Sequence, residues 1–356
     1  MPALPRRRFL QAAGALGLGA ALPAPLRAQQ GGAAAKQLID VWGPSAAIYA
    51  AAMVADVEGF ARGEGLDVRH VMADGGAKAR QIVAAGQATV AMGDIGHVLQ
   101  ISGRGKPAKA LMNTEIRAPF ANVVVRRDLY ESAGIDNVEK LGRWRRPDGA
   151  KPIVAATAIG SGTWLFGTYL FEQAGVGDSI NWVSGGNAKT MLGGLQSRQL
   201  DAIMAFPAWR YDAEAHGWGR TIFDVNDDAA WNRAFGGDIP TTVVYALDTT
   251  IKASPDLCQA YVNALHRGMQ WLKAHSPAEI YARIGEKYFG DLGAGATTEE
   301  FRTAKPIWQY DGTITEASYA TGTRLWFREG TDIPQTRYAD AIDNRFIDAA
   351  RHKYGG

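Results

Sequence analysis

The same succession of strands and helices is written twice along this chain, and that repeat limits the fold more than any single motif. Leu38 to Trp42 is apolar and strand-like, Ala46 to Phe60 reads as a helix, and Val68 to Met72 is a second strand. A helix over Ala77 to Ala85, a short strand over Thr89 to Met92 and a helix over Ile95 to Ser102 follow. The order restarts with strand Ile153 to Ala156, helix Thr163 to Ala174, strand Ile180 to Val183, helix Ala188 to Ser197 and strand Asp201 to Ala205. Gly75-Gly76-Ala77-Lys78 answers Gly186-Asn187-Ala188-Lys189, and residues 86–94 answer residues 198–206 at an offset of 112. Alternation of this kind predicts an α/β protein of two similar lobes. A cleft between two lobes is a favoured ligand site, and the loops from strand ends to helix starts face it.

Two extended segments connect the halves. Arg117 to Val125 leaves the first lobe through Pro119, and Ile239 to Ala246 returns. Paired crossovers suit hinge closure around a ligand, with Pro119–Asn122 and Pro240–Val243 as the expected hinge. Beyond the return, Cys258, Val262, Leu265, Met269 and Leu272 step by four and three, one apolar helical stripe. Residues 316–329 and 338–353 read as further helices. The expected division is lobe I over 37–118 and 245–300, lobe II over 119–244, and C-terminal helices over 301–356 packed on lobe I and the hinge.

Cys258 is the sole cysteine, so an intrachain disulfide and any CxxC site are excluded. Within the stripe its thiol reads as packed core. The net charge of +2 includes Arg6, Arg7, Arg8 and Arg27, with no acid among residues 1–28, so the remainder carries −2 and offers no basis for nucleic-acid binding. Those arginines belong to a leader: Arg6 to Arg8 precede an apolar run from Phe9 to Leu22, and Ala28 offers a small residue for cleavage. Arg6-Arg7-Arg8-Phe9-Leu10 fits the twin-arginine pattern. The run is short for a ~20-residue membrane span, so a cleaved export signal over 1–28 is expected, then a flexible arm over 29–36 and a body not inserted in a membrane.

Four segments carry a resemblance: IDVWGPSAAIYAAAMVADVEGFAR (39–62), GGAKARQIVAAGQATVAMGD (75–94), AIGSGTWLFGTYLFEQAG (158–175) and QLDAIMAFPAW (199–209). In order and spacing they resemble the nitrate/sulfonate/taurine-type periplasmic solute-binding proteins of ABC importers, over about residues 38–290. The resemblance implies the type II periplasmic-binding-protein fold, two α/β lobes joined by two hinge crossovers. It also implies a periplasmic monomer without a cofactor or metal, which binds a small organic anion (sulfonate-, nitrate- or taurine-like, or aromatic) and delivers it to a permease and ATPase. A pyrimidine-type thiamine precursor or another planar heterocycle is the alternative ligand, and an enzyme on the same fold the remaining one. No GxSxG, HExxH, P-loop or GxGxxG sequence occurs in the body. The turn after the fourth second-lobe element lacks an arginine.

The cleft candidates follow from helix starts, where unpaired N–H groups and the positive dipole end favour an anion. Ser45, Gly76, Ser161, Thr163 and Asn187 are expected around a polar head, although N-capping is the ordinary work of such residues. Gly75, Gly76 and Gly162 permit close backbone approach. Lys78 is either a point charge for an anion or a solvated lysine, and Asp94 either caps the helix at Ile95 or meets a cationic group. Tyr49, Trp164, Phe206 and Trp209 fall at strand–helix junctions, as core at the lobe edge or as walls for a planar ligand portion. Trp164, after the Gly-Ser-Gly-Thr turn, is expected to stack on the ligand.

Overall fold

In the computed structural model, which describes residues 35–290 and 292–356, each half of the repeat becomes one five-stranded sheet. The first half supplies β1 (Lys36–Trp42), β2 (Leu66–Met72), β3 (Val90–Asp94) and β4 (Ala108–Asn113). The second supplies β5 (Asn122–Arg126), β6 (Ile153–Ala156), β7 (Asn181–Ser184), β8 (Ala202–Ala205) and β9 (Gly219–Phe223), and β10 (Thr242–Leu247) follows. Strand orders are β2-β1-β3-β10-β4 and β7-β6-β8-β5-β9. They correspond place for place. Each has a parallel trio, and in each the fourth place is an antiparallel strand that the chain lays down just after crossing from the other lobe. The expected export signal over 1–28 and residues 29–34 of the expected arm lie outside the described residues; Lys36, expected in the arm, opens β1.

Lobe I carries α1 (Ala50–Val57), α2 (Gly76–Ala84) and α3 (Gly96–Gly103), and lobe II carries α4 (Gly162–Gln173), α5 (Ala188–Gln196) and α6 (Pro207–Ala215). After β10 come α7 (Pro255–Ala274), α8 (Ala294–Ala304), α9 (Glu316–Trp326) and α10 (Arg345–Tyr354). The helix expected over 46–60 is a short 3-10 turn at Ala47–Tyr49 followed by α1, and Gly59, at φ +73°, breaks the chain before Phe60. The helix expected over 338–353 is interrupted because Ile342 goes extended and bridges Ala110 of β4.

The inner strands β3 and β8 are buried throughout, as continuous apolar runs covered on both faces require. The stripe Cys258, Val262, Leu265, Met269 and Leu272 is buried on α7, and burial lifts the Cys258 thiol to about 11. A Cβ on Gly268 would stand 2.4 Å from the Ala51 carbonyl oxygen, so α7 and α1 touch backbone to backbone there.

The two crossovers run side by side. Thr114 N–H donates to Thr242 O at 2.8 Å, Thr241 N–H to Glu115 O at 3.1 Å and Ile239 N–H to Ile116 O at 2.9 Å. A third segment joins them: Ile116 N–H donates to Ile307 O and Gln309 N–H to Thr114 O. The hinge therefore has three strands, one of them C-terminal. The C-terminal helices also serve both lobes, with α9 on α4, α8 on α6, and α10 on α7 and β4. β10 joins the first sheet from Thr242, ahead of the expected boundary at 245, and α8 runs through the one expected at 300.

Candidate functional site

Two cavities open where the lobes meet. The inner one, of about 30 Å³, is lined by Pro44, Ile48, Tyr49, Gly76, Gly93, Asp94 and His97 from lobe I, and by Phe120, Thr157, Ser161, Gly162, Thr163 and Phe206 from lobe II and its crossover. That space is about one water molecule's share of liquid volume, so the lobes are nearly shut. They meet at Gly162, where a Cβ would stand 2.9 Å from the Asp94 Cβ and 3.1 Å from the Phe120 ring.

Lobe II presents a cluster of hydroxyls. Thr157 Oγ1 lies 3.0 Å from Ser161 Oγ and 2.8 Å from Thr163 Oγ1, and Ser161 Oγ lies 2.8 Å from Thr163 Oγ1. Ser161 occupies the N-cap position of α4 without capping it. The hydroxyls are thus ordered by one another and by the preceding loop backbone, Ser161 Oγ donating to Ala158 O at 2.7 Å and Thr163 Oγ1 accepting from Thr157 N–H at 2.9 Å, while the first N–H groups of α4 have no partner inside the helix. Phe120 packs edge-to-face on Phe166 and tilted on Phe206, giving this wall an apolar backing.

Lobe I presents ionisable groups with unused capacity. Asp94 Oδ1 accepts from Gly96 N–H at 2.8 Å, one residue outside the N-cap position that Ile95 occupies, but Oδ2 is buried without a partner. Burial pushes this carboxyl up to about 7, against the pull of the Gly96 N–H and the Arg80 charge. His97 is fully buried with neither ring nitrogen hydrogen bonded; burial, and then Arg80, hold it well below its ordinary value, so the ring is neutral. Tyr49 accepts from Gly43 N–H at 3.0 Å, and burial keeps its phenol protonated. No lysine or arginine lines the inner cavity. The nearest cation is Arg80, which reaches from α2 across the cleft to donate to Gly160 O at 3.1 Å.

The outer cavity, of about 1080 Å³, is a groove between Pro44, Ser45 and Met72–Asp74 of lobe I, α5 and α6 of lobe II, and the segment Glu286–Gly290. The expected site residues divide between the two. Tyr49, Gly76, Asp94, Ser161, Gly162, Thr163 and Phe206 line the inner cavity, whereas Ser45, Asn187 and Trp209 line the groove. Asn187 also caps α5, accepting from Thr190 N–H at 3.2 Å. Gly75, Lys78 and Trp164 line neither. Lys78 is exposed on the outer side of α2, and Trp164 is half-buried against the core, because the α4 face that meets lobe I carries Leu165, packed on Gly96.

Sequence reading missed three residues. Phe120 sits in a crossover, Arg80 lies within α2 rather than at its start, and Glu300 lies far down the chain in α8. Glu300 Oε1 accepts from Ala47 N–H of lobe I at 2.9 Å and its Oε2 from Ala208 N–H of lobe II at 2.6 Å. One buried carboxylate thus ties helix starts of both lobes together. Burial pushes it up to about 7, while the two N–H groups and Arg210 pull it down.

The NMT1-like family model matches residues 45–285, a span that contains every residue lining the inner cavity except Pro44. The chain belongs to the NMT1-like family. This NMT1-like protein is similar in structure to a protein of Bordetella bronchiseptica RB50, at 26% identity over 90% of this chain and 98% of that one, with a TM-score of 0.77. It is similar also to the nitrate-binding protein NrtA of Synechocystis PCC 6803 (11% identity, 89% of each chain, TM-score 0.70). A third is the alkanesulfonate-binding protein SsuA of Xanthomonas axonopodis pv. citri bound to MOPS (14% identity, 86% of this chain and 98% of that one, TM-score 0.66). No curated protein sequence matches the chain. The two binding proteins share the fold: two α/β lobes with a helical C-terminal region. Among the described residues of the NMT1-like protein, no helix is long and apolar enough to cross a membrane, and no His, Cys, Asp and Glu cluster could hold a metal ion.

Proposed function

We propose that this protein is the periplasmic solute receptor of an ABC importer, which closes its lobes on one small molecule and hands it to a permease. The observation that carries this reading is the inner cavity, because each lobe brings a different half of a binding site to one enclosed point. The N–H groups at the start of α4 suit an oxyanion, with the hydroxyl cluster as the polar wall beside them, and the unpaired Oδ2 of Asp94 suits an ammonium or N–H donor. A small zwitterion satisfies both, so a taurine-like aminosulfonate is the ligand class we favour within the organic anions. The phenylalanine walls and the neutral His97 favour a second ligand, a planar nitrogen heterocycle with an N–H beside a ring acceptor. Binding rather than turnover is supported by His97, which hydrogen bonds to no hydroxyl and so activates no nucleophile.

The test is calorimetric titration of the leaderless protein with taurine, ethanesulfonate, nitrate and an aminopyrimidine. The reading expects taurine to bind more tightly than ethanesulfonate, which lacks only the ammonium; equal affinities would remove Asp94 from recognition, and turnover of a bound compound would replace the receptor with an enzyme. Export rests on the Arg6–Leu10 pattern. Replacing Arg6, Arg7 and Arg8 by lysine should hold the precursor in the cytoplasm, and normal delivery of that variant would exclude the twin-arginine route.

A further inference from the structure

On lobe I, beside the interlobe cavity that Arg80 reaches past, α2 and α3 flank a cavity of about 180 Å³ lined by Arg80, Gln81, Gln100, Arg104 and Lys106, with Ala84 and Ile101 completing it. Its wall holds three cations and no acid. A buried arginine ordinarily has a carboxylate to pair with. Arg80 is 7% exposed, yet its hydrogen bond is to the Gly160 carbonyl and it forms no ion pair among the described residues. A guanidinium has five N–H donors, so most of its donating capacity is unused. Arg104 stands close enough that its charge, after burial, lowers the affinity of Arg80 for its proton. Gln100 is 6% exposed and its Oε1 has no partner; turning the amide over, which exchanges O and N, presents an N–H donor instead.

Capping of helix C-termini accounts for Lys106, which donates to Ala84 O at 2.8 Å. It does not account for Arg80, in the middle of α2, nor for Arg104, whose side chain has neither a hydrogen bond nor an ion pair among the described residues. We propose that this cavity is a second binding site, distinct from the interlobe cavity, for a tetrahedral oxyanion such as inorganic phosphate or sulfate. The anion would lie between the guanidinium groups of Arg80 and Arg104, receive N–H bonds from both and from Gln100, and supply a counter-charge that the cavity's own lining lacks.

The experiment is calorimetric titration of the leaderless protein with inorganic phosphate at low ionic strength, repeated with sulfate, on wild type, Arg104→Gln and Arg104→Lys. Arg104 is exposed, so the variants should keep the wild-type melting temperature and the same affinity for the interlobe solute. The proposal expects one anion per chain, about tenfold or more weaker binding in Arg104→Gln, since a charged hydrogen bond is lost, and partial recovery in Arg104→Lys. Failure of wild type to bind either anion overturns it. So does anion binding that Arg104→Gln leaves unchanged, which would place the ion in the interlobe cleft.

Discussion

The two lobes repeat one sheet topology, yet they bring opposite chemistry to the cavity between them. Lobe II offers neutral groups whose hydrogen bonds are already made: the Thr157, Ser161 and Thr163 hydroxyls hold one another in place. Lobe I offers titratable groups with atoms left unpaired, Asp94 Oδ2 and both nitrogens of His97. A duplicated scaffold therefore fixes where a site lies, not what it recognises. The strand–loop–helix geometry aims equivalent loops at one point from both sides, and the side chains on those loops divide the work. Lobe II sets shape and accepts little rearrangement, whereas lobe I sets charge and responds to pH.

The largest expected effect tests whether lobe II is a rigid wall. Trp209 is fully buried and packs on Phe206 with ring centres 4.7 Å apart. Trp209→Ala should lower the stability of the ligand-free protein by about 3–5 kcal/mol, read by denaturant unfolding. Unchanged stability with weakened solute binding would make this tryptophan a ligand contact and blur the division between the lobes.

Next comes the charge of lobe I. Asp94→Asn should weaken a taurine-like zwitterion by about 1.5–3 kcal/mol, tenfold to a hundredfold in Kd, and leave ethanesulfonate as tight as before or tighter. Parallel losses for both compounds would show Asp94 to be structural. The same group sets a pH dependence. In the folded protein Asp94 and Glu300 hold their protons up to about pH 7, above the ordinary carboxylate range. The stability they contribute is complete below about pH 4 and is lost as pH rises through about 7. The melting temperature of the ligand-free protein should fall across that window, and fall less in Asp94→Asn. An identical slope in wild type and variant would move the titration elsewhere.

Glu300 tests whether the lobes are held together by something neither lobe owns. In Glu300→Gln one amide end can no longer accept, so one of the Ala47 and Ala208 N–H groups is left buried and unpaired, at about 1–3 kcal/mol. Small-angle scattering should then report a larger ligand-free particle. An unchanged radius would assign closure to the hinge strands alone. The smallest effect is Thr163→Val, which removes one neutral hydroxyl from a cluster that retains two. It should weaken every polar solute by about 0.5–1.5 kcal/mol, without the selectivity for an ammonium that Asp94→Asn shows.

Much of the molecule was legible in the chain itself. The repeat, the α/β class, ten of the strand and helix spans to within two residues, the stripe on α7 and the glycine at the α4 start follow from periodicity and turn chemistry, which act over a few residues. Seven of the thirteen expected site residues line the inner cavity, because helix starts that follow strand ends must face the cleft in this topology. Lys78 and Trp164 line neither cavity for one reason: position at a helix start places a residue near the cleft, but the rotation of the helix, set by what its other face packs against, decides which side chain looks into it.

What only the tertiary structure decided are the meetings of distant residues. Arg80 meets Gly160 from 80 positions away, and Ala47 meets Glu300 from 253. An arginine within an amphipathic helix and a glutamate in a C-terminal one carry no local signal of these partners. Their roles appear once the lobes close, because burial removes the water that would otherwise satisfy each charge, and the groups then left within reach determine its chemistry.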